Sequence, residues 1–190
     1  NLSRETVLQK ITALAKSIAA KTQRPLLSLG VAAPGQVDAL AGKIVHYDLL
    51  PDFDEVPLKE RFESVFPDTP VFIEDNIRSL THAELLRGSG RGCRNFLCLA
   101  VRSGVGLGIV IDGKLYNGTQ SMSGEVGYLV SPETGSGVNG ERRTLTDLVS
   151  ATGFLKETRD SLQSLRQTQS RRKLLEKGES LSLADIVDAA

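Results

Sequence analysis

Ligand chemistry needs carboxylates, amides or backbone N–H groups held close to a small molecule, and four short stretches of this sequence supply them. Glu74-Asp75-Asn76 directly follows an apolar run and precedes a helical pattern. Strand ends in α/β sheets face the ligand crevice, so an acid there can act as a base and Asn76 can bind hydroxyls. The structural role competes: Asp75 or Asn76 can cap the helix from Ile77, and spacing alone favours the cap. Arg102-Ser103-Gly104-Val105-Gly106-Leu107-Gly108 lies between two apolar runs. Its glycines would let backbone N–H groups approach an anion, as in a phosphate loop, and a tight turn would explain them equally well. No helical pattern follows, so it is not a dinucleotide fingerprint. In Ser123-Gly124-Glu125-Val126-Gly127-Tyr128 the glycines flank a carboxylate. Glu125 is then either a ligand contact or an acid on a surface loop. Ala33-Pro34-Gly35-Gln36-Val37-Asp38 reads by itself as a turn.

Metal and nucleophile chemistry has little support. His46 and His82 are far in sequence from Cys93 and Cys98, and no C-x-x-C or H-x-x-x-H spacing occurs. His82 sits in a helical run, where a surface or half-buried role is the simpler one.

The elements that must position these residues follow from periodicity. Val7, Leu8, Ile11, Leu14, Ala15 and Ile18 recur at helical steps, with Ser3 as N-cap. Residues 25–33 read as a buried strand ending at Pro34-Gly35, and further strands are expected at 43–47 and 71–73. Helices are expected at 56–65 and 77–86. Gly88-Ser89-Gly90-Arg91-Gly92 reads as a joint, followed by strands at 95–101, 106–111 and 114–116. Asp112-Gly113 is a hairpin-turn signal. Residues 118–140 read as loop, 144–165 as mostly helix, and Ser182-x-x-Asp185 as a capping box. In 166–177, Arg171-Arg172-Lys173 reads as a solvated helix face. Strand-helix alternation before the joint and hairpins after it indicate an α/β protein in two parts.

Composition narrows the class. The chain has 190 residues, 40% hydrophobic and 24% charged, which excludes disordered, collagenous and coiled-coil proteins. No apolar run reaches the roughly 18 residues of a membrane span, and no signal peptide is visible. Lys+Arg and Asp+Glu both number 23, so charge offers no case for nucleic-acid binding by these residues. Two cysteines suit a reducing cytoplasm.

The four segments, in this order, resemble the ROK family of sugar kinases and sugar-responsive repressors, from about residue 29 to 154. Pro34-Gly35-Gln36-Val37-Asp38 is similar to the family's P-G-x-V-D strand end. The family's N-D pair falls on Asp75-Asn76 in inverted order, and its A-E helix end on Ala83-Glu84. Its G-x-G-x-G hairpin resembles Gly104 to Gly108, continuing through Ile111-Asp112-Gly113-Lys114-Leu115 to Gly118. The family's G-E-[IV]-G-H resembles Gly124-Glu125-Val126-Gly127, with Tyr128 where the family has His. The resemblance implies an actin-like (ribonuclease H-like) two-lobed α/β sugar-kinase fold, present in part. Residues 1–87 would be the N-terminal lobe lacking its first hairpin, and 88–190 the truncated start of the second lobe.

The same resemblance implies sugar contacts at Gly35, Gln36, Asp48, Asp75, Asn76, Glu125 and Tyr128, and a phosphate-loop remnant at Gly104, Gly106 and Gly108. The residue that would take the sugar's proton is Asn76, and an amide cannot act as that base at neutral pH. Asp75 would be catalytic only in a kinase. The family's cysteine-rich zinc loop is replaced by residues 133–143, Tyr128 replaces a zinc-ligating His, and a further family Glu falls on Thr146, beside Asp147. Neither zinc nor ATP is therefore expected. The expected function is sugar or sugar-phosphate sensing in a ROK-type transcriptional regulator without catalysis; the alternative is a divergent ATP-dependent sugar kinase. DNA would be met only through a module outside these residues. No membrane partner is expected, and the protein is expected to be a cytoplasmic homo-oligomer.

Overall fold

A computed structural model describes residues 3–22, 24–119, 121–130, 143–162 and 169–189. Helix α1 spans Arg4–Ala19, and Ser3 caps it by accepting from the Thr6 N–H. Leu8 is buried, and Val7, Ile11 and Ala15 pack beside it. Leu14 and Ile18, in phase with them in the sequence, are exposed. Only part of the apolar stripe meets the core.

Strand β1 (Leu29–Ala33) pairs in parallel with β4 (Val71–Asp75), in a register running from Leu29 opposite Val71 to Ala33 opposite Asp75. β1 was expected to be buried throughout. It alternates instead, because one face of this two-stranded sheet meets the core while Gly30, Ala32 and Phe72 on the other are exposed. Residues 36–38, expected to be only a turn, form strand β2 (Gln36–Asp38), antiparallel to β3 (Lys43–His46). A register shift between Gln36 and Val37 puts a bulge in the hairpin. Helix α2 is Leu58–Glu63 and helix α3 is Asn76–Arg87. Ala33, Val37, Ile44, Phe53, Val56, Leu58, Phe62, Val71 and Ile73 join Leu8 in one apolar core.

Strands β5 (Phe96–Val101), β6 (Val105–Ile111) and β7 (Lys114–Leu115) form a third sheet in that order. Asp112 and Gly113 join β6 to β7 with φ of 51° and 74°, the two positive values a type I′ turn requires. A 3-10 turn spans Val126–Tyr128. Residues 144–162 form two helices rather than one, α4 (Leu145–Val149) and α5 (Ala151–Leu162). The break is at Ser150, whose Oγ accepts from the Gly153 N–H and restarts the helix. Helices α6 (Gln169–Lys177) and α7 (Leu183–Ala189) follow. The Ser182/Asp185 capping box forms, with the Ser182 N–H donating to Asp185 Oδ2 at 2.9 Å and the Asp185 N–H to Ser182 Oγ at 3.3 Å.

The chain divides into two compact units, but not at residues 87 and 88. Unit 1 is Asn1–Cys98 with Gly108–Ser123, and unit 2 is Leu99–Leu107 with Gly124–Ala190. The division runs through β5 and β6 instead of the glycine joint. A Cβ on Gly90 would lie 2.5 Å from the Phe96 ring, so that joint packs inside unit 1. Among the described residues, no helix is long and apolar enough to cross a membrane.

Candidate functional site

In unit 1, β4 runs into α3 with no linker, and three side chains share the junction. Asp75 takes extended backbone angles (φ −62°, ψ 143°) and caps α3, its Oδ1 accepting from the N–H groups of Ile77 at 3.0 Å and Arg78 at 2.8 Å. It is 8% exposed, and burial pushes its carboxyl pKa up against the pull of the Arg78 N–H and charge. Glu74 Oε1 accepts from the Asp75 N–H at 2.8 Å and from Arg78 Nε at 2.7 Å. Asn76, the first residue of the helix, is exposed. The junction therefore presents an amide to solvent and turns its neighbouring carboxylate inward.

Sequence reasoning missed Arg78. It is 1% exposed, and its Nη2 donates to the Val37 carbonyl at 3.0 Å and its Nη1 to the Ser121 carbonyl. The available signal was the i,i+4 spacing of Glu74 and Arg78, which also fits an exposed ion pair.

Three of the expected sugar contacts gather around His46. Gly35 has φ +83°, and a Cβ there would lie 2.4 Å from the His46 carbonyl oxygen, so the position demands glycine. Gln36 is the ladder partner of His46, and Asp48 Oδ1 lies 2.5 Å from His46 Nε2. Asp54 bonds the other ring nitrogen. The two carboxylates, Asp54 foremost, raise the His46 pKa. Asp38 closes the hairpin turn, accepting from Leu40 N–H at 3.0 Å and Ala41 N–H at 2.9 Å. A cleft of about 340 Å³ in unit 1 is lined by Asp38, Lys43, Val45, Glu55, Ser121 and Met122 among others, and by none of the expected sugar contacts.

The glycine run is a turn followed by a strand. Gly104 accepts from the Arg102 N–H at 2.8 Å in the turn, and a Cβ there would meet nothing within 4 Å. Gly106 and Gly108 lie inside β6. A Cβ on Gly108 would come 1.7 Å from Oγ1 of the fully buried Thr81, so α3 packs tightly on the strand there.

In unit 2, the glycines around Glu125 serve close backbone approach. Gly124 has φ +88°, its Cβ would fall 1.6 Å from the Leu107 carbonyl oxygen, and its own carbonyl accepts from the Leu107 N–H at 2.9 Å. A Cβ on Gly127 would fall 2.4 Å from the Val105 oxygen and 2.5 Å from Thr146 Oγ1. Glu125 is half-buried between them, and Tyr128 is exposed. Asp147, beside Thr146, is engaged in a capping box with Thr144, whose N–H bond to its carboxylate lowers its pKa. The stretch expected to replace the zinc loop lies outside the described residues up to 142, and Arg143 pairs with Glu157 at 2.6 Å. Among the described residues, no three His, Cys, Asp or Glu side chains are placed to hold a metal ion.

The model of the ROK family matches residues 2–190. This chain belongs to the ROK family. Its ROK relatives are of two kinds. It is 30% identical over 151 residues to a glucokinase of Halalkalibacterium halodurans, covering 78% of this chain and 45% of that protein. It is also 30% identical over 166 residues to the DNA-binding transcriptional repressor Mlc of Escherichia coli, covering 87% of this chain and 39% of the repressor. The chain thus spans less than half the length of these curated relatives. A ROK glucokinase from Streptomyces griseus, solved with glucose and AMPPNP, matches all of this chain and 60% of its own with a TM-score of 0.77 at 19% identity. The fold is the actin-like α/β fold of ROK sugar kinases, present in part.

Proposed function

We propose that this region senses a sugar or sugar phosphate within a ROK transcriptional regulator and does not phosphorylate it. The observation that supports this is the β4–α3 junction: Asn76 faces solvent, while Asp75 is buried and spends its carboxylate on the start of α3. An amide binds a sugar hydroxyl but cannot take its proton at neutral pH. Around His46, the backbone at Gly35 and the side chains of Gln36 and Asp48 supply further polar groups of the kind that hold hydroxyls. In unit 2, taken by itself, Glu125 is a half-buried carboxylate and Tyr128 an exposed phenol, groups of the same kind. Ligand binding would shift the population of the DNA-binding state, with DNA met by a module outside these residues. In this reading the regulator is a cytoplasmic homo-oligomer, and neither zinc nor ATP takes part.

Titration calorimetry of the full-length protein with glucose, xylose and their phosphates tests it. Heat with at least one sugar, and no sugar-dependent ATP consumption in a coupled assay, is the expected result. Heat with none overturns the sensing role.

One observation favours a kinase instead. Burial raises the proton affinity of Asp75, as a general base requires. In that case ATP consumption would depend on sugar and disappear in Asp75→Ala.

A further inference from the structure

We propose that Arg78 is the positioning residue of unit 1: its guanidinium locks β2, the β4–α3 junction and the Ser121 segment into one frame on which ligand binding depends. The ligand part of this rests on the sugar-sensing reading above; the frame itself does not.

Each guanidinium nitrogen serves a different segment. Nε donates to Glu74, Nη2 to the Val37 carbonyl and Nη1 to the Ser121 carbonyl. The planar fork of arginine suits three divergent acceptors, and lysine has neither that shape nor that spacing. With 1% exposure, water cannot replace these partners. Ser121 is a second sign of the clamp. It has φ +55°, a conformation that residues other than glycine rarely adopt, and it is 6% exposed. Such a backbone persists when its surroundings fix it, and the bond from Arg78 to its carbonyl is one such restraint. Val37 precedes Asp38, and Asp38, Ser121 and Met122 all line the unit 1 cleft, so both clamped carbonyls belong to segments that border it.

The experiment uses the full-length protein, with hydrogen–deuterium exchange, thermal melting and glucose calorimetry. Two proteins are compared with wild type: Arg78→Lys, and Arg78→Met combined with Glu74→Gln, which removes the Glu74 carboxylate that Nε would otherwise leave unpaired. In both, exchange across 117–123 should rise about tenfold or more while α1 is unchanged. Glucose binding should weaken about tenfold, even where the double variant melts close to wild type. Exchange that rises no more at 117–123 than in α1 would overturn the frame. Wild-type affinity in both variants would overturn its link to ligand. Absence of glucose heat in the wild type, with the exchange result intact, would overturn glucose sensing and leave the frame standing.

Discussion

At the β4–α3 junction, side chains hold the backbone: Asp75 caps two N–H groups, Glu74 braces a third, and Arg78 ties the ensemble to two carbonyls. At Gly124–Gly127 the backbone holds itself, pressed against Leu107 and Val105 where a side chain would not fit. Both arrangements fix a candidate ligand group to a strand. The first is sensitive to charge and proton, the second to volume. The difference also sets where change is tolerated. Polar exchanges can be balanced at the junction, whereas a single methyl group has nowhere to go beside Leu107.

The largest effect should come from that methyl group. Gly124→Ala puts a Cβ 1.6 Å from a carbonyl oxygen at φ +88°, and should cost about 4 kcal/mol by denaturant unfolding. A cost near zero would break the contrast at once. Next, Asp75→Ala removes the α3 cap and should cost about 1–2 kcal/mol. Asp75→Asn sharpens the charge side. Burial raises the Asp75 pKa, so the folded state holds this proton more tightly than the unfolded chain. Stability from this group is full below the unfolded carboxylate pKa of about 4 and is lost as pH rises through the raised folded value. Asn keeps the cap without titrating, so melting followed from pH 4 to 7 should fall more steeply in wild type than in the variant. Parallel curves would remove charge from the comparison. The smallest effect should be at Gly104, where a Cβ meets nothing within 4 Å; Gly104→Ala should change stability by less than about 0.5 kcal/mol.

Much of the fold was legible because local chemistry set it. The Ser3 cap, the Asp112-Gly113 turn and the Ser182/Asp185 box each depend on residues within a few positions of one another. Asp75 as helix cap was legible for the same reason. What escaped depended on contacts distant in sequence. Arg78 reads as an ordinary helix-surface cation until Val37 and Ser121, 41 and 43 positions away, bury it. The glycines at 108, 124 and 127 invited a ligand explanation, but their need lies in Thr81, Leu107 and Val105. The division between units was hidden because it crosses strand interiors, where composition does not change.

The junction of β4 with α3 has an evolutionary consequence. Helix starts accept Asp and Asn about equally well. The paired exchange Asp75→Asn and Asn76→Asp would therefore leave α3 capped while moving the carboxylate to the solvent-facing position. Proton-accepting capacity here is a matter of the order of two neighbouring letters, nearly independent of folding. A lineage could cross between handling a sugar's proton and merely reading the sugar without passing through an unfolded ancestor.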